Sequence, residues 1–379
     1  MASGADRSSV RIGTKSPRFV RAPAWALVLV LLSLGLPATP ASGAGSAGLT
    51  RETSLAVKVT AVAGGLYHSL ALSSKGVVFA WGWNVTGQLC NGNATGSDVP
   101  LRLGLLGGRK VTAIAGGFAH SLAVTSTGAV FNCGKNDDGE LGDGGTTDSD
   151  VPVKVNLPAG TKVTAVVAGA GQSLAVTSTG GVLAWGLNLY GALGNGSMGG
   201  SSDVPVNVTL PAGTKVTAVA AGALHSLAVT STGAVLAWGF NTDGELGDGG
   251  TANSDVPVRA KLPAGTKVTA VAAGGPLYGV GAYIAGPGHS LAVTSGGKVF
   301  AWGYNTDGEL GDDGTANSDV PVKVRLTADA KVTAVAAGEL QSLAVTSNGA
   351  VLAWGGNNFG QLGDGNYKGS DVPVRVNLP

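Results

Sequence analysis

The chain has 379 residues, of which 64 are glycine, with 24 basic and 23 acidic side chains. This balanced charge offers little to a phosphate backbone, so the composition argues against a nucleic-acid partner. The two cysteines form no Cys-x-x-Cys or Cys/His cluster, so no zinc site and no cofactor are predicted.

Residues 1–44 differ from the rest of the chain. Their five basic side chains are Arg7, Arg11, Lys15, Arg18 and Arg21, and Ala22–Leu36 then runs without a charge. This apolar run is short for a membrane span of roughly 20 residues and is typical of a signal peptide, with small residues following it. We therefore expect export and a secreted protein; a membrane anchor is the alternative if the leader is not cleaved. Residues 45–58 are interpreted as a linker.

From Val59 onward the chain consists of repeats of one sequence motif. The copies span 59–110, 111–162, 163–215, 216–267, 268–331 and 332–379. A period of this length indicates a repeat architecture in which neighbouring units bury a common core.

The fourth copy predicts four short strands. They are Val216–Ala221, His225–Thr230, Ala234–Gly239 and Val256–Leu262. Proline recurs near the start of the last strand, which places that strand at a sheet edge. Alanine and glycine dominate the first two strands, which suits crowding near an axis. The pattern favours an all-β fold, a β-propeller of four-stranded antiparallel blades, over a β-solenoid.

The repeated motif resembles the repeat of the regulator of chromosome condensation family. It reads G-x-x-H-S-L-A-V-T-S-x-G-x-V-x-A-W-G-x-N-x-x-G-x-L-G. The resemblance covers Val59 to Pro379 and implies a propeller, usually of seven blades. Because six copies are visible, six or seven blades remain open. Each copy could be one blade, or the terminal strand Val372–Leu378 could close onto the first.

Histidine and serine recur together, which raises the question of catalysis or metal binding. The histidines are His68, His120, His225 and His289, and Gln172 and Gln341 replace them in two copies. Catalysis needs a unique constellation rather than one that recurs in every blade, so we expect buried histidines held by backbone hydrogen bonds. The loop Asn241–Asp248 resembles the start of a calcium loop but lacks its later ligands, and a turn explains it equally well.

The two cysteines occupy repeat positions that otherwise hold other residues. Cys133 replaces the tryptophan of the Trp-Gly pair, and Cys90 replaces the last glycine of G-x-L-G in the preceding copy. Export would permit a disulfide between them, and two unrelated thiols are the alternative.

Aromatic residues concentrate in the loops after the first and third strands, which emerge on one face of an up-and-down blade. They are Tyr67, Trp83, Phe118, Tyr190, Phe240, Tyr304 and Phe359. The fifth copy adds Gly275–Pro287 on this face, including Tyr278 and Tyr283. Exposed aromatics on a rigid frame are typical anchors of a protein interface, although some of them could instead fill gaps between blades.

We therefore predict an exported, non-enzymatic scaffold or inhibitor that binds a protein through this face. The resemblance also implies an alternative, guanine-nucleotide exchange on a small GTPase, as in eukaryotic members. Secreted bacterial members look similar, and one type inhibits β-lactamases. A polysaccharide-acting enzyme is disfavoured because no unique carboxylate pair or triad is visible.

Overall fold

The computed structural model describes residues 57–104, 106–275, 277–278 and 284–378. The expected leader, and the linker up to residue 56, lie outside these residues. Six four-stranded antiparallel sheets, one per repeat, form a six-bladed β-propeller. Each blade keeps the strand order 1-2-3-4, and the terminal strand pairs within its own sheet. The predicted propeller is confirmed, and each copy is one blade.

The strands are numbered in chain order. Blade 1 contains β1 Val59–Gly64, β2 His68–Ser73, β3 Val78–Gly82 and β4 Ser97–Arg102; blade 2 contains β5 Val111–Gly116, β6 His120–Thr125, β7 Val130–Gly134 and β8 Ser149–Lys154. Blade 3 contains β9 Val163–Ala168, β10 Gln172–Thr177, β11 Val182–Leu187 and β12 Ser201–Asn207; blade 4 contains β13 Val216–Ala221, β14 His225–Thr230, β15 Val235–Gly239 and β16 Ser254–Arg259.

Blade 5 contains β17 Val268–Ala273, β20 His289–Thr294, β21 Val299–Gly303 and β22 Ser318–Lys323, with the small hairpin β18 Leu277–Tyr278 and β19 Ile284–Ala285 inserted after β17. Blade 6 contains β23 Val332–Ala337, β24 Gln341–Thr346, β25 Val351–Gly355 and β26 Ser370–Arg375. A single 3₁₀ turn, Leu189–Gly191, is the only helical element of the described residues.

The hairpin between the second and third strands has a local cause in the sequence. In blade 6 the Thr346 N–H bonds to the Ala350 carbonyl at 2.9 Å, which encloses Ser347, Asn348 and Gly349. Gly349 has a φ of +83°, the left-handed conformation that a three-residue hairpin loop needs at this position.

The fourth strand differs from its prediction. In blade 4 it runs Ser254–Arg259 rather than Val256–Leu262. Between the pairs Ala237↔Val258 and Gly239↔Ser254, β15 advances by two residues whereas β16 spans four. This irregularity contains Pro257, which cannot donate to the ladder, so strand pairing resumes before the proline. The predicted edge position is confirmed, because β16 pairs with β15 alone.

Neighbouring blades are joined by hydrogen bonds that converge on one buried carbonyl. The Ser226 hydroxyl and the Trp238 indole N–H of blade 4 both donate to the Ala192 carbonyl of blade 3, at 3.2 and 2.9 Å. The same pair of bonds recurs from Ser173 and Trp185 to Glu140, from Ser290 and Trp302 to Glu245, and from Ser342 and Trp354 to Glu309. These four tryptophans are fully buried. Each indole therefore contributes both apolar packing and a hydrogen bond to the same interface between two blades.

A disulfide replaces the tryptophan between blades 1 and 2. Cys133 lies at the tryptophan position, and the structure bonds it to Cys90, with the two Cα atoms 5.6 Å apart. At the matching place in blade 2, a Cβ on Gly142 would lie 2.8 Å from the Trp185 ring, so a tryptophan here requires a glycine opposite it. At this interface the disulfide between Cys90 and Cys133 therefore replaces the glycine–tryptophan contact that the other interface uses.

Replacing the interblade tryptophan should destabilise the protein by an amount that depends on its blade. We expect Trp238→Ala to cost about 3–5 kcal/mol of unfolding free energy, because it empties a fully buried site and leaves the Ala192 carbonyl with one donor fewer. Trp81→Ala in blade 1 should cost about 1–2 kcal/mol, since Trp81 is only half-buried and no hydrogen bond of its indole is present among the described residues. Urea unfolding measures both, and equal losses would contradict this account of the interface.

Because the disulfide stands in for a glycine–tryptophan contact, the effects of substituting Cys90 and Cys133 on the melting temperature should not be additive. Cys133→Trp alone should lower the melting temperature, because it removes a link closing about 43 residues, worth about 4 kcal/mol, and forces an indole against the Cys90 side chain. Cys90→Gly combined with Cys133→Trp should recover much of that loss and make the melting temperature insensitive to reductant. Melting curves with and without dithiothreitol test this, and a double variant no more stable than Cys133→Trp would refute it.

Candidate protein-binding face

The loops after the first and third strands of each blade lie together; we call them the loop face. The residue following the third strand donates its backbone N–H to the loop after the first strand of the same blade. In blade 1 Trp83 donates to the Tyr67 carbonyl at 2.8 Å, and in blade 4 Phe240 donates to Leu224 at 3.0 Å. These short backbone hydrogen bonds hold the two loops of each blade next to each other.

A buried asparagine organises each long loop after the third strand. In blade 4 the Asn241 amide donates to the Gly250 and Ala252 carbonyls at 3.0 and 2.9 Å, while its side-chain oxygen accepts the Leu246 N–H at 2.8 Å. The equivalent side chains are Asn84, Asn136, Asn188, Asn305 and Asn357, all buried. The sequence analysis named Asn241 only as the start of a loop resembling a calcium loop, and the buried structural role of the asparagine after every third strand was not predicted. The loop face is therefore a fixed frame.

An exposed pair of contacting aromatic rings lies on blade 1. Tyr67 and Trp83 are 48% and 37% exposed, and their rings meet edge to face with centroids 5.9 Å apart. Phe359 on blade 6 is 59% exposed. These three predicted binding residues are accessible to a partner.

The other predicted aromatics are less accessible. Phe118, Tyr190, Phe240 and Tyr304 are half-buried. The Tyr190 and Phe240 rings lie 5.0 Å apart and connect blade 3 to blade 4, so this pair does fill a gap between blades. Tyr278 belongs to the inserted hairpin by its backbone, and Tyr283 lies outside the described residues.

A central channel opens on the loop face. Its cavity of about 230 Å³ is lined largely by glycine and alanine at the ends of the first strands, and Phe118 and Phe359 also line it. Glu339 also lines it, and burial raises the pKa of this carboxyl above its ordinary value. The small residues let six strands converge, as their composition predicted.

The recurring histidines connect blades rather than forming a reactive site. His68 Nε2 lies 2.8 Å from the Ser121 hydroxyl of the next blade, and that hydroxyl donates to the Gln88 carbonyl at 2.7 Å. Because the hydroxyl proton is used, Nε2 is the donor to Ser121. Equivalent contacts join His120 to Ser173, His225 to Ser290 and His289 to Ser342. The predicted backbone partner is therefore wrong: a serine of the neighbouring blade takes that place.

Burial sets the charge of these histidines. It lowers the pKa of His68 and His289 to about 4 and that of His120 and His225 to about 3, so all four are neutral at pH 7. A neutral ring can remain inside the blade interface, where a charged one would be costly.

Three buried glutamates support the long loops. Each accepts the backbone N–H of the residue two positions earlier, as Glu309 does from Asp307 at 3.0 Å and Glu245 from Asp243 at 2.9 Å. Burial raises the pKa of Glu245 and of Glu309 to about 7. Glu140 also has a raised pKa, partly offset by Lys135 at 3.1 Å. They lie in different blades and form no carboxylate pair.

The part of the chain that the structure describes contains no cluster of three or more His, Cys, Asp or Glu side chains suited to a metal ion. In the acidic loop that resembled a calcium site, the oxygens of Asn241 and Glu245 accept backbone N–H groups instead. No helix among the described residues has the length and apolarity to cross a bilayer.

Glu309→Gln should remove the loss of unfolding free energy that the buried Glu309 carboxyl causes as the pH rises. The folded pKa of about 7 lies above the ordinary 4.5, so the stabilising contribution is complete below pH 4.5 and is lost as the pH rises through 7. Glutamine occupies this position in blades 1 and 6, where Gln361 accepts the Phe359 N–H at 2.7 Å. Relative to the parent chain, the variant should therefore gain about 1–3 kcal/mol between pH 4.5 and pH 8. Urea unfolding at both pH values measures this, and a pH-independent difference would contradict it.

Comparison with known proteins agrees with this geometry. Residues 35–280 match the RCC1-like domain, and residues 296–345 and 348–379 match the regulator of chromosome condensation (RCC1) repeat. Ultraviolet-B receptor UVR8 of Arabidopsis thaliana is 35% identical over 319 residues, which cover 83% of this chain and 69% of the relative.

Solved structures show the same fold. Human WBSCR16 has a TM-score of 0.73 at 25% identity, covering 86% of this chain and 83% of its own. Yeast RCC1 (Prp20), solved with Kap60, has a TM-score of 0.72 at 24% identity, covering 84% of this chain and 75% of its own. These relatives come from a plant, human and yeast, and they do not support the expected secreted bacterial type. The chain belongs to the family of regulator of chromosome condensation (RCC1) repeat proteins.

Proposed function

We propose that this protein is an exported, non-enzymatic propeller that binds a protein partner through its loop face. The observation that carries the proposal is the exposed Tyr67–Trp83 pair on a frame held by buried asparagines. Large aromatic side chains presented on a rigid surface bury much apolar area while losing little conformational entropy on binding.

The family supports a protein-binding or regulatory role in general. Yeast Prp20 has been solved bound to Kap60, and its structure is described together with its binding properties to Gsp1p and histones. At 24% identity these structures support the fold and not the same partners.

The chemistry of the buried groups favours a non-enzymatic role. The side chains with the most displaced pKa values are the four histidines, Glu245 and Glu309, all buried between blades or beneath loops. Each is used in a contact that recurs from blade to blade, whereas a catalytic group must reach a substrate.

Export is supported by the sequence of the leader and by the disulfide. Residues 1–44 have the basic, apolar and small-residue order of a signal peptide. The bond between Cys90 and Cys133 suits an oxidising compartment. In that location the protein would act as a scaffold or inhibitor outside the cell.

Guanine-nucleotide exchange on a small GTPase is the alternative function. The likeness to Prp20, whose binding properties to Gsp1p are described, is the observation in its favour. An exported chain would not meet a cytosolic GTPase, so we rank this function second.

Alanine substitution of the exposed pair should abolish capture of the partner. With the full chain as bait in medium from the producing organism, Tyr67→Ala/Trp83→Ala should weaken binding of the captured protein at least ~10-fold, because aromatic anchors each contribute about 1–2 kcal/mol or more. Lys75→Ala/Lys162→Ala, on exposed residues of the opposite face, is the matched control and should bind normally. Normal binding by the aromatic variant would refute the site, and accelerated nucleotide release from a small GTPase would favour the alternative.

A further inference from the structure

The balanced charge of the chain is distributed unevenly between the two faces of the propeller. The loops after the first and third strands, which form the loop face, contain fourteen acidic and two basic side chains among the described residues. The loops after the second and fourth strands, together with residues 57–58 before β1, contain eleven basic side chains and one acidic side chain, Asp329. The face opposite the loop face is therefore strongly basic.

Eight lysines form most of this basic surface, which we call the lysine face. Six of them immediately precede the first strands of the six blades, and two lie in the hairpin loops after the second strands. All eight are exposed, and none forms an ion pair among the described residues, whose ion pairs involve Lys135 and Arg325 instead. The lysine face consists of Lys58, Lys110, Lys162, Lys215, Lys267 and Lys331 before the first strands, and of Lys75 and Lys298 in the hairpin loops.

Backbone hydrogen bonds fix the lysines that precede the first strands. The carbonyl of each accepts a hydrogen bond from the hairpin of its own blade, as Lys215 does from the Ser231 N–H at 2.7 Å. The next residue, Val216, donates its N–H to the Gly180 carbonyl in the hairpin of the preceding blade at 2.8 Å. The first bond recurs in all six blades, and the second recurs between each of the five successive pairs. The lysines therefore occupy equivalent, fixed positions around the propeller axis.

The residues between these lysines have small side chains. In three of the loops after the fourth strands the exposed tip is Pro-Ala-Gly, at residues 158–160, 211–213 and 263–265. None of the described residues in the loops of this face is aromatic. The long lysine side chains therefore extend past their neighbours and can reach a flat surface together.

This arrangement favours a planar anionic partner. Lysines at equivalent positions around one axis contact a flat surface at the same time, whereas a linear polyanion crossing the face meets only some of them. A single-stranded nucleic acid would also need aromatic rings on which its bases stack, and the described residues of these loops provide none. A bilayer with anionic headgroups is flat on this scale and attracts every lysine that lies near it.

We propose that the lysine face binds the surface of a membrane that contains anionic lipids. Each lysine close to such a surface strengthens binding about fivefold, so several acting together hold the protein although each contact is weak and screened by salt. In this orientation the loop face points away from the bilayer. The Tyr67–Trp83 pair then remains accessible to the protein partner of the proposed function.

Binding of the full chain to vesicles tests the proposal. Vesicles of phosphatidylcholine containing about 30% phosphatidylglycerol should sediment the protein, and vesicles of phosphatidylcholine alone should bind it at least ~10-fold more weakly. Raising the sodium chloride concentration to about 0.5 M should release the protein from the anionic vesicles, because salt screens exposed charges. Equal binding to both kinds of vesicle would overturn the proposal.

Two matched variants separate the lysine face from net charge. Lys162→Gln/Lys215→Gln should weaken binding to the anionic vesicles at least ~10-fold and leave the melting temperature unchanged, because both side chains are exposed. Val85→Glu/Met198→Glu lowers the net charge by the same amount at loop-face residues that are 61% and 54% exposed, and it should bind as the parent chain does. Equal effects of the two variants would show that net charge alone drives binding and would overturn the site.

Acetylation of lysines, resolved by mass spectrometry, distinguishes the lysine face from the leader, whose apolar run Ala22–Leu36 could insert by itself. Anionic vesicles should protect Lys110, Lys215 and Lys331 from acetic anhydride. They should leave Lys368, which is exposed on the loop face, as reactive as in solution. Binding without protection of the lysine face would assign the contact to the leader and overturn the proposal, as would equal protection of Lys368.

Two other partners give different results, and either result would overturn the proposal. If duplex DNA at equal phosphate concentration displaces the chain from the vesicles, the lysine face is a nucleic-acid site. If the chain alone sediments as an oligomer in which the lysine face is protected, the acidic loop face of a second copy is the partner. Tyr67→Ala/Trp83→Ala should bind vesicles normally, so failure of this proposal and failure of the proposed function are distinguishable.

Discussion

One buried carbonyl between each pair of blades organises this molecule. The carbonyl accepts a hydrogen bond from a serine hydroxyl and, at four interfaces, from an indole N–H of the following blade. At most interfaces the serine oxygen in turn accepts a hydrogen bond from histidine. A group buried this deeply would be costly without partners, so the neighbouring blade must be present and correctly placed. The loop face has a fixed geometry because the sheets beneath it are connected in this way.

The exceptions follow from the same constraint. At the interface of blades 1 and 2 the indole is missing, and the disulfide between Cys90 and Cys133 occupies its place beside the Gln88 carbonyl. At the interface of blades 3 and 4 the acceptor residue is Ala192, which has no polar side chain. The backbone oxygen is the invariant part, so the side chain of the acceptor residue varies among glutamine, glutamate and alanine.

The sequence predicted the repeated sheet well because its causes are local. The first and second strands of blade 4 have the predicted bounds, since the first strand stops at Gly222 and the second stops at the turn that Gly233 closes onto Thr230. The fourth strand was displaced because the irregularity around Pro257 depends on pairing with β15, which the sequence alone does not reveal. The serine partner of each histidine was missed for a similar reason: the two residues are about 53 positions apart and meet only through packing.

The candidate site was predicted less completely. Alternation and loop position correctly identified an exposed pair on blade 1, but they could not distinguish Trp83 from Phe240, whose ring packs against Tyr190 of the preceding blade. The exposure of Val59 was also beyond the sequence, because Val59 and Val216 occupy the same position in nearly identical local sequence. Val59 is 47% exposed and Val216 3%, because the described residues place one neighbouring first strand against β1, whereas β13 lies between β9 and β17.

Hydrogen–deuterium exchange, resolved strand by strand, tests most directly whether interblade contacts govern stability. All six sheets have the same internal pairing, so differences in exchange must come from their neighbours. The account predicts that β1, which contacts one neighbouring first strand among the described residues, exchanges at least ~10-fold faster than β13, which lies between two. Equal protection of β1 and β13 in the isolated chain would contradict it.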